Sequence, residues 1–172
     1  MKYISRSIDK TLEEWKESTT HKPLLLRGAR QVGKSSAVRH LGTQFKYFAE
    51  VNFESAKSIA TFFKGDLDVK LISSKISNYI QVPIIPGQTL LFLDEIQACP
   101  EAIMALRFFK EDYPELHVIA AGSLLEFALQ SLPTFGVGRI HSVFMYPMTF
   151  DEFLVAMDMG GLLAMRREAT VT

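Results

Sequence analysis

Residues 28–35 read Gly28-Ala29-Arg30-Gln31-Val32-Gly33-Lys34-Ser35, two glycines with four residues between them and a lysine and a hydroxyl directly after the second. The glycines let the chain turn tightly and bring successive backbone N–H groups together, which is what an anionic phosphate needs. A helix opening at the end of the loop would add its positive end to that field. Lys34 then stands where it reaches the outer phosphates of a nucleotide, and Ser35 offers a hydroxyl to Mg²⁺. A surface turn with an incidental lysine requires none of this spacing. A dinucleotide loop would need G-x-G-x-x-G, which Gly28 and Gly33 do not supply.

A second group of polar residues follows apolar runs downstream. Asp94-Glu95 comes directly after Leu90-Leu91-Phe92-Leu93. In parallel sheets ligands gather at the carboxyl ends of strands, so Asp94 is expected near the loop, holding Mg²⁺ directly or through water. Glu95, one residue on, is the candidate to polarise the water that attacks a γ-phosphate. Ser123 follows another apolar run and either hydrogen-bonds the γ-phosphate or its water, or caps the helix expected after it. Gln97 either reaches the same region or braces the turn before Pro100. Arg139 is the candidate for neutralising charge on the transferred phosphoryl group, the alternative being a surface pair with an acid. Arg30 points outward or toward a partner. His21, His40, His117 and His141 lack a metal-binding spacing.

The elements that must position these residues are legible in outline. Leu24-Leu25-Leu26 reads as a strand buried on both faces, and Ser35–Leu41 as a helix with Gly42 at its C-cap. Thr11-Leu12-Glu13-Glu14 and Thr149-Phe150-Asp151-Glu152 both have capping-box spacing, predicting helix starts at Thr11 and Thr149. Tyr47–Phe53, Thr89–Leu93, Leu116–Ala121 and Ile140–Phe144 read as further strands. Between them, a short helix ends near Gly65, and Asp66–Tyr79 sets Leu67, Leu71, Ile72 and Ile76 on one helical face. Pro100 opens a helix with Ile103, Leu106 and Phe109 inward, and Leu124–Leu132 is helical until Pro133, with a loop over Thr134–Gly138. Gly160-Gly161 ends or interrupts the helix after Thr149. Alternating strands and helices imply an α/β fold, a mainly parallel sheet covered on both faces.

The chain has 172 residues, 48% of them hydrophobic. One domain of that size buries roughly 70% of the surface of its unfolded chain. Lys plus Arg equals Asp plus Glu at 19 each, so net charge asks for neither nucleic acid nor an anionic membrane. The lone Cys99 cannot form an internal bridge, the apolar runs fall short of the roughly 18 residues of a membrane span, and residues 1–14 do not resemble a signal peptide. A cytoplasmic protein is the expectation.

Taken together, Gly28 to Ser35, then Leu91-Phe92-Leu93-Asp94-Glu95-Ile96-Gln97, then Ala121-Gly122-Ser123 resemble one branch of the AAA-type P-loop ATPases. It is the prokaryotic AAA domain that usually precedes a second, nuclease-like domain. Gly138-Arg139 and Tyr146-Pro147-Met148-Thr149-Phe150-Asp151-Glu152-Phe153-Leu154 are similar to that branch's ending. The resemblance spans about residues 5 to 155. It implies a three-layer P-loop NTPase with five strands in the order 5-1-4-3-2. It also implies ATP as the nucleotide, phosphate and Mg²⁺ at Lys34 and Ser35, metal and water at Asp94 and Glu95, and sensing at Ser123. Residues 1–172 are then one AAA-type domain, expected to stop before a C-terminal domain.

Two functions follow as expectations. One is Mg²⁺-dependent ATP hydrolysis used as a conformational switch on a missing C-terminal domain or a partner. The other is an ATP-binding regulatory module with little turnover, controlling a protein or nucleic-acid interaction. A small-molecule kinase would want an arginine-rich lid, and a GTPase N-K-x-D; the sequence has neither.

Overall fold

A computed structural model describes residues 3–123, 125, 129 and 138–169. Five strands, β1 (Leu24–Arg27), β2 (Tyr47–Asn52), β3 (Thr89–Asp94), β4 (His117–Gly122) and β5 (His141–Phe144), form one sheet. Every pairing is parallel and the order is β2-β3-β4-β1-β5, the expected 5-1-4-3-2 met from the other edge.

Strand alternation decides the layers, because successive side chains leave opposite faces of the pleat. Leu24, Leu26, Leu90, Phe92, Ile119 and Ala121 face one side. They pack on Leu12 and Trp15 of α1 (Ile8–Glu17) and Val38 and Leu41 of α2 (Lys34–Gly42). Leu25, Leu91, Leu93, Val118 and Ala120 face the other side. There they meet the 3₁₀ segment Lys57–Phe63, α3 (Val69–Ile80) and α4 (Pro100–Asp112). All six residues of β3 are buried, so this strand has to be apolar toward both helical layers until Asp94 ends it.

Several local expectations give way to packing. Thr11 lies inside α1 rather than capping it, because Ile8, Leu12 and Trp15 bury one stripe and carry the helix back to Ile8. Gly42 is the last residue of α2, with Thr43 at the cap. It is a glycine for space, since a Cβ there would stand 2.5 Å from the Phe48 ring. In α3 the inward residues are Val69, Ile72, Ser73 and Ile76, whereas Leu71 is 52% exposed. Ser73 tolerates burial because its hydroxyl donates to the Val69 carbonyl at 2.7 Å. Asp68 caps this helix, accepting from the N–H groups of Lys70 and Leu71.

At the amino-terminal edge of the sheet His21 and His117 stack with ring centroids 3.8 Å apart, and Trp15 meets His117 edge-on at 5.3 Å. Burial, then the neighbouring His21, push His117 below its usual value.

Beyond β5 the Thr149 capping box forms as expected and opens α5 (Phe150–Ala156). A turn then leads into α6 (Gly160–Ala169), so Gly160-Gly161 begins a new helix rather than ending one. Phe150, Phe153, Leu162 and Met165 on these two helices, and Met157 at the turn between them, are all exposed. The helix expected over Leu124–Leu132 and the loop over Thr134–Gly138 fall mostly outside the described residues. No helix among the described residues is long and apolar enough to cross a membrane.

Candidate functional site

Three chain crossings meet at the carboxyl edge of the sheet. Arg27 lies in register with Gly122 across β1 and β4, so the loop that starts at Gly28 and the residue Ser123 leave neighbouring strands side by side. Asp94 ends β3 one strand further on, opposite Asn52 of β2.

The glycine loop has the backbone its spacing predicts. Gly28 has φ +146° and Gly33 φ +100°, with Gln31 at φ 63° between them. Gly28 also needs the absence of a side chain, because a Cβ would stand 2.3 Å from the carbonyl oxygen of Met145. That carbonyl belongs to the chain leaving β5, whose Met145 N–H donates to the Arg27 carbonyl at 2.8 Å. Ala29, Arg30 and Gln31 are exposed while Gly28, Val32 and Lys34 are buried, so the middle of the loop forms the open side. Helix α2 starts at Lys34 and directs its amino end into the loop.

Lys34 is 8% exposed, and its ammonium donates to the carbonyls of Gly28 at 2.8 Å and Ala29 at 2.6 Å. Burial pulls its pKa below the ordinary value, while the charges of Glu95 and Asp94 oppose the shift. The Ser35 hydroxyl donates to Asp94 Oδ2 at 2.8 Å, tying the loop to β3 across 59 residues of sequence. Asp94 Oδ1 accepts the N–H of Glu95 at 3.0 Å. Burial raises the Asp94 carboxyl, and these two hydrogen bonds pull it back.

Glu95 takes the left-handed conformation, φ 51° and ψ 44°, and its Oε2 accepts from Gln97 Nε2 at 2.6 Å. Ser123 is 3% exposed at the end of β4. Lys34, Ser35, Asp94, Glu95 and Ser123 therefore share one edge. The Ser35 hydroxyl and Asp94 carboxylate are hard oxygen donors within contact of each other, a set that fits Mg²⁺.

Two arginines stand elsewhere than in a catalytic cluster. Arg139 pairs with Glu111 at 2.5 Å, and it precedes β5, so it lies at the amino-terminal edge, away from the loop of its own chain. The geometry is that of the surface pair, not of a charge-stabilising residue in its own site. Arg30 leaves the loop outward and meets Glu54 at 3.3 Å, both side chains being largely exposed.

Sequence reasoning missed Arg6. Its side chain is 9% exposed; Nη1 donates to the Val32 carbonyl at 2.7 Å, Nη2 to the Tyr146 carbonyl at 3.0 Å, and Nε faces Glu152 Oε1 at 3.2 Å. One guanidinium thus braces the phosphate loop against the exit from β5 and the start of α5. No local signal marks it, because its partners lie 26 to 146 residues away. A cavity of about 570 Å³ opens beside this brace, with Tyr3, Ile4, Val32, Ser36, His40 and Met148 in its wall. Tyr3 stacks on His40 there with centroids 4.0 Å apart.

Solved structures share this fold. Cdc6p from Pyrobaculum aerophilum is 14% identical with a TM-score of 0.55, over 90% of this chain and 50% of that one. The ORC1 protein of Aeropyrum pernix, in complex with DNA, is 16% identical with a TM-score of 0.53, over 92% and 47%. Drosophila ORC, bound to DNA, is 14% identical with a TM-score of 0.54, over 81% and 42%. At such identities the likeness is one of fold alone, and the chain spans half or less of each of these proteins. No curated protein matches the chain. A family model described as an AAA domain matches residues 20–154, which include the loop, the acidic pair and Ser123. With that match over most of its length, the chain belongs to the AAA domain family of P-loop ATPases and is a nucleotide-binding domain.

Proposed function

We propose that this domain binds ATP with Mg²⁺ and hydrolyses it as a conformational switch. The observation that carries the reading is the 2.8 Å hydrogen bond from Ser35 to Asp94, which sets a hydroxyl and a carboxylate together at the loop with Glu95 next in the chain. Backbone N–H groups of the loop and the amino end of α2 bind the phosphates, and Lys34 adds a positive charge. Ser35 and Asp94 hold the metal; when bound, Mg²⁺ neutralises charge on the phosphate oxygens. Glu95 orients the attacking water and accepts its proton, and Ser123 hydrogen-bonds the γ-phosphate or that water. The cavity walled by Tyr3, Ile4 and Met148 receives the nucleoside.

The switch acts on a further domain or a partner protein. Two of the similar structures are complexes with DNA, which puts nucleic acid among the partners to test, against equal totals of 19 basic and 19 acidic residues. The second reading, an ATP-binding regulatory module with little turnover, draws support from Arg139, which pairs with Glu111 far from the loop of its own chain.

Mg²⁺-dependent ATP turnover by the wild type and by Glu95→Gln, measured beside nucleotide binding, separates the two. We expect turnover to fall at least about 100-fold in Glu95→Gln while binding persists. Binding without turnover in either protein selects the regulatory module. Lys34→Ala weakens binding on both readings, and unchanged affinity in that variant sinks the phosphate assignment.

A further inference from the structure

We propose that Gln97 is a positioning residue for Glu95, and that residue 122 is glycine in order to admit the Gln97 carboxamide. The role rests on the hydrolytic reading of Glu95; the contact itself rests on geometry.

Gln97 sits in the 3₁₀ turn Ile96–Ala98, and its Nε2 donates to Glu95 Oε2 at 2.6 Å. Its Oε1 is buried and has no hydrogen-bond partner among the described residues. The reverse amide orientation would set that oxygen against the carboxylate, two acceptors face to face, so chemistry fixes which end meets Glu95. A Cβ on Gly122 would stand 2.4 Å from Gln97 Oε1 and 3.1 Å from Leu125 Cδ2. Gly122 lies in β4 and is not among the positive-φ glycines, so space rather than backbone freedom selects it. The carboxamide is thus wedged between the end of β4 and the Glu95 carboxylate.

This arrangement carries two costs that a plain turn would avoid. A non-glycine residue in the left-handed region is strained, and a buried acceptor without a partner forfeits its solvation. A glycine at 95 and an apolar residue at 97 would remove both. What the costly arrangement provides is one carboxylate oxygen held in place and the other left available, beside a loop whose Lys34 feels the Glu95 charge. This is the relation of an orienting group to a general base.

The test uses Gln97→Met, which keeps length but removes the donor, Gly122→Ala, which displaces the carboxamide, and the double variant. In ATP turnover we expect kcat to fall about 10- to 100-fold in each single variant, with KM and nucleotide Kd within about threefold. Gln97→Met should hold or raise the Tm, since the orphaned acceptor goes too. The double variant should be no slower than the slower single one, because both break one contact.

Unchanged kcat in Gln97→Met, a loss confined to KM, a fall in Tm that accounts for the loss, or multiplicative effects in the double variant would each overturn the proposal. Glu95→Gln distinguishes the failures. If it turns over like wild type, the hydrolytic reading fails; if it is inactive while Gln97→Met is normal, only the positioning role fails. Should the wild type turn over no ATP, crystal structures of wild type and Gly122→Ala decide. A displaced Glu95 carboxylate supports the wedge, and an unmoved one refutes it.

Discussion

Glu152 links the amino-terminal segment to α5, and its protonation should be readable as stability. Its Oε1 accepts from the Ser7 N–H at 2.7 Å and the Ser7 hydroxyl at 2.9 Å and faces Arg6 Nε at 3.2 Å; its Oε2 accepts from the Thr149 N–H at 2.8 Å. Burial alone would raise this carboxyl. The donors from Ser7, Thr149 and Arg6 outweigh it and hold the pKa at about 2, against an ordinary 4.5. At about 1.4 kcal/mol per tenfold change in proton affinity, that displacement is worth about 3 kcal/mol. The side chain is 11% exposed but its hydrogen bonds lie at the surface, so solvent screening reduces this figure and we take about 2–3 kcal/mol as the upper range expected.

The folded-state value lies below the unfolded one, so the unfolded chain binds more protons in this window. The stabilisation is complete above 4.5 and is lost as pH falls through 4.5 toward about 2. Glu152→Gln keeps the shape and removes the titration. In urea unfolding followed by circular dichroism, the gap between wild type and variant should be up to about 2–3 kcal/mol at neutral pH. It should shrink to about half that near pH 3. A gap that does not change with pH, or one under about 1 kcal/mol at neutral pH, refutes the reasoning.

Gly28→Ala meets both a φ of +146° and the Met145 carbonyl 2.3 Å from the new Cβ, so it should cost about 2–4 kcal/mol and weaken nucleotide binding. An unchanged Tm in thermal unfolding refutes that. Arg139→Ala breaks a pair whose side chains are 53% and 38% exposed, so stability should move by less than about 1 kcal/mol and turnover per chain by less than about twofold. A tenfold fall in kcat would restore Arg139 as a charge-stabilising group, acting on a neighbouring copy.

The parts of the site that were legible are those whose chemistry is contiguous in sequence. The phosphate loop concentrates its backbone demands in eight residues, and β3 runs apolar on both faces from Leu90 to Leu93 before a single buried carboxylate, Asp94. Arg6 was not legible because the Val32 and Tyr146 carbonyls it reaches leave no trace in side-chain pattern. The reason for Gly122 was hidden for the same cause, since only the placement of Gln97 shows what the missing Cβ would strike. Thr11 shows the opposite failure: a true local pattern overruled by the buried stripe Ile8, Leu12 and Trp15.

Arg139 is different, because the information needed to exclude it from its own site was present in the sequence. Once every strand of the sheet is parallel, a residue that precedes a strand and a residue that follows one must lie at opposite edges. The phosphate loop follows β1, Asp94 closes β3 and Ser123 follows β4, whereas Arg139 precedes β5. Connection direction therefore assigns Lys34, Asp94, Glu95 and Ser123 to one edge and Arg139 to the other before any side chain is placed. By the same rule, a charge-stabilising arginine from this chain has to follow a strand or be carried on the segment before α1, as Arg6 is. Arg30, within the loop itself, meets that condition, and its side chain is held by the exposed pair with Glu54.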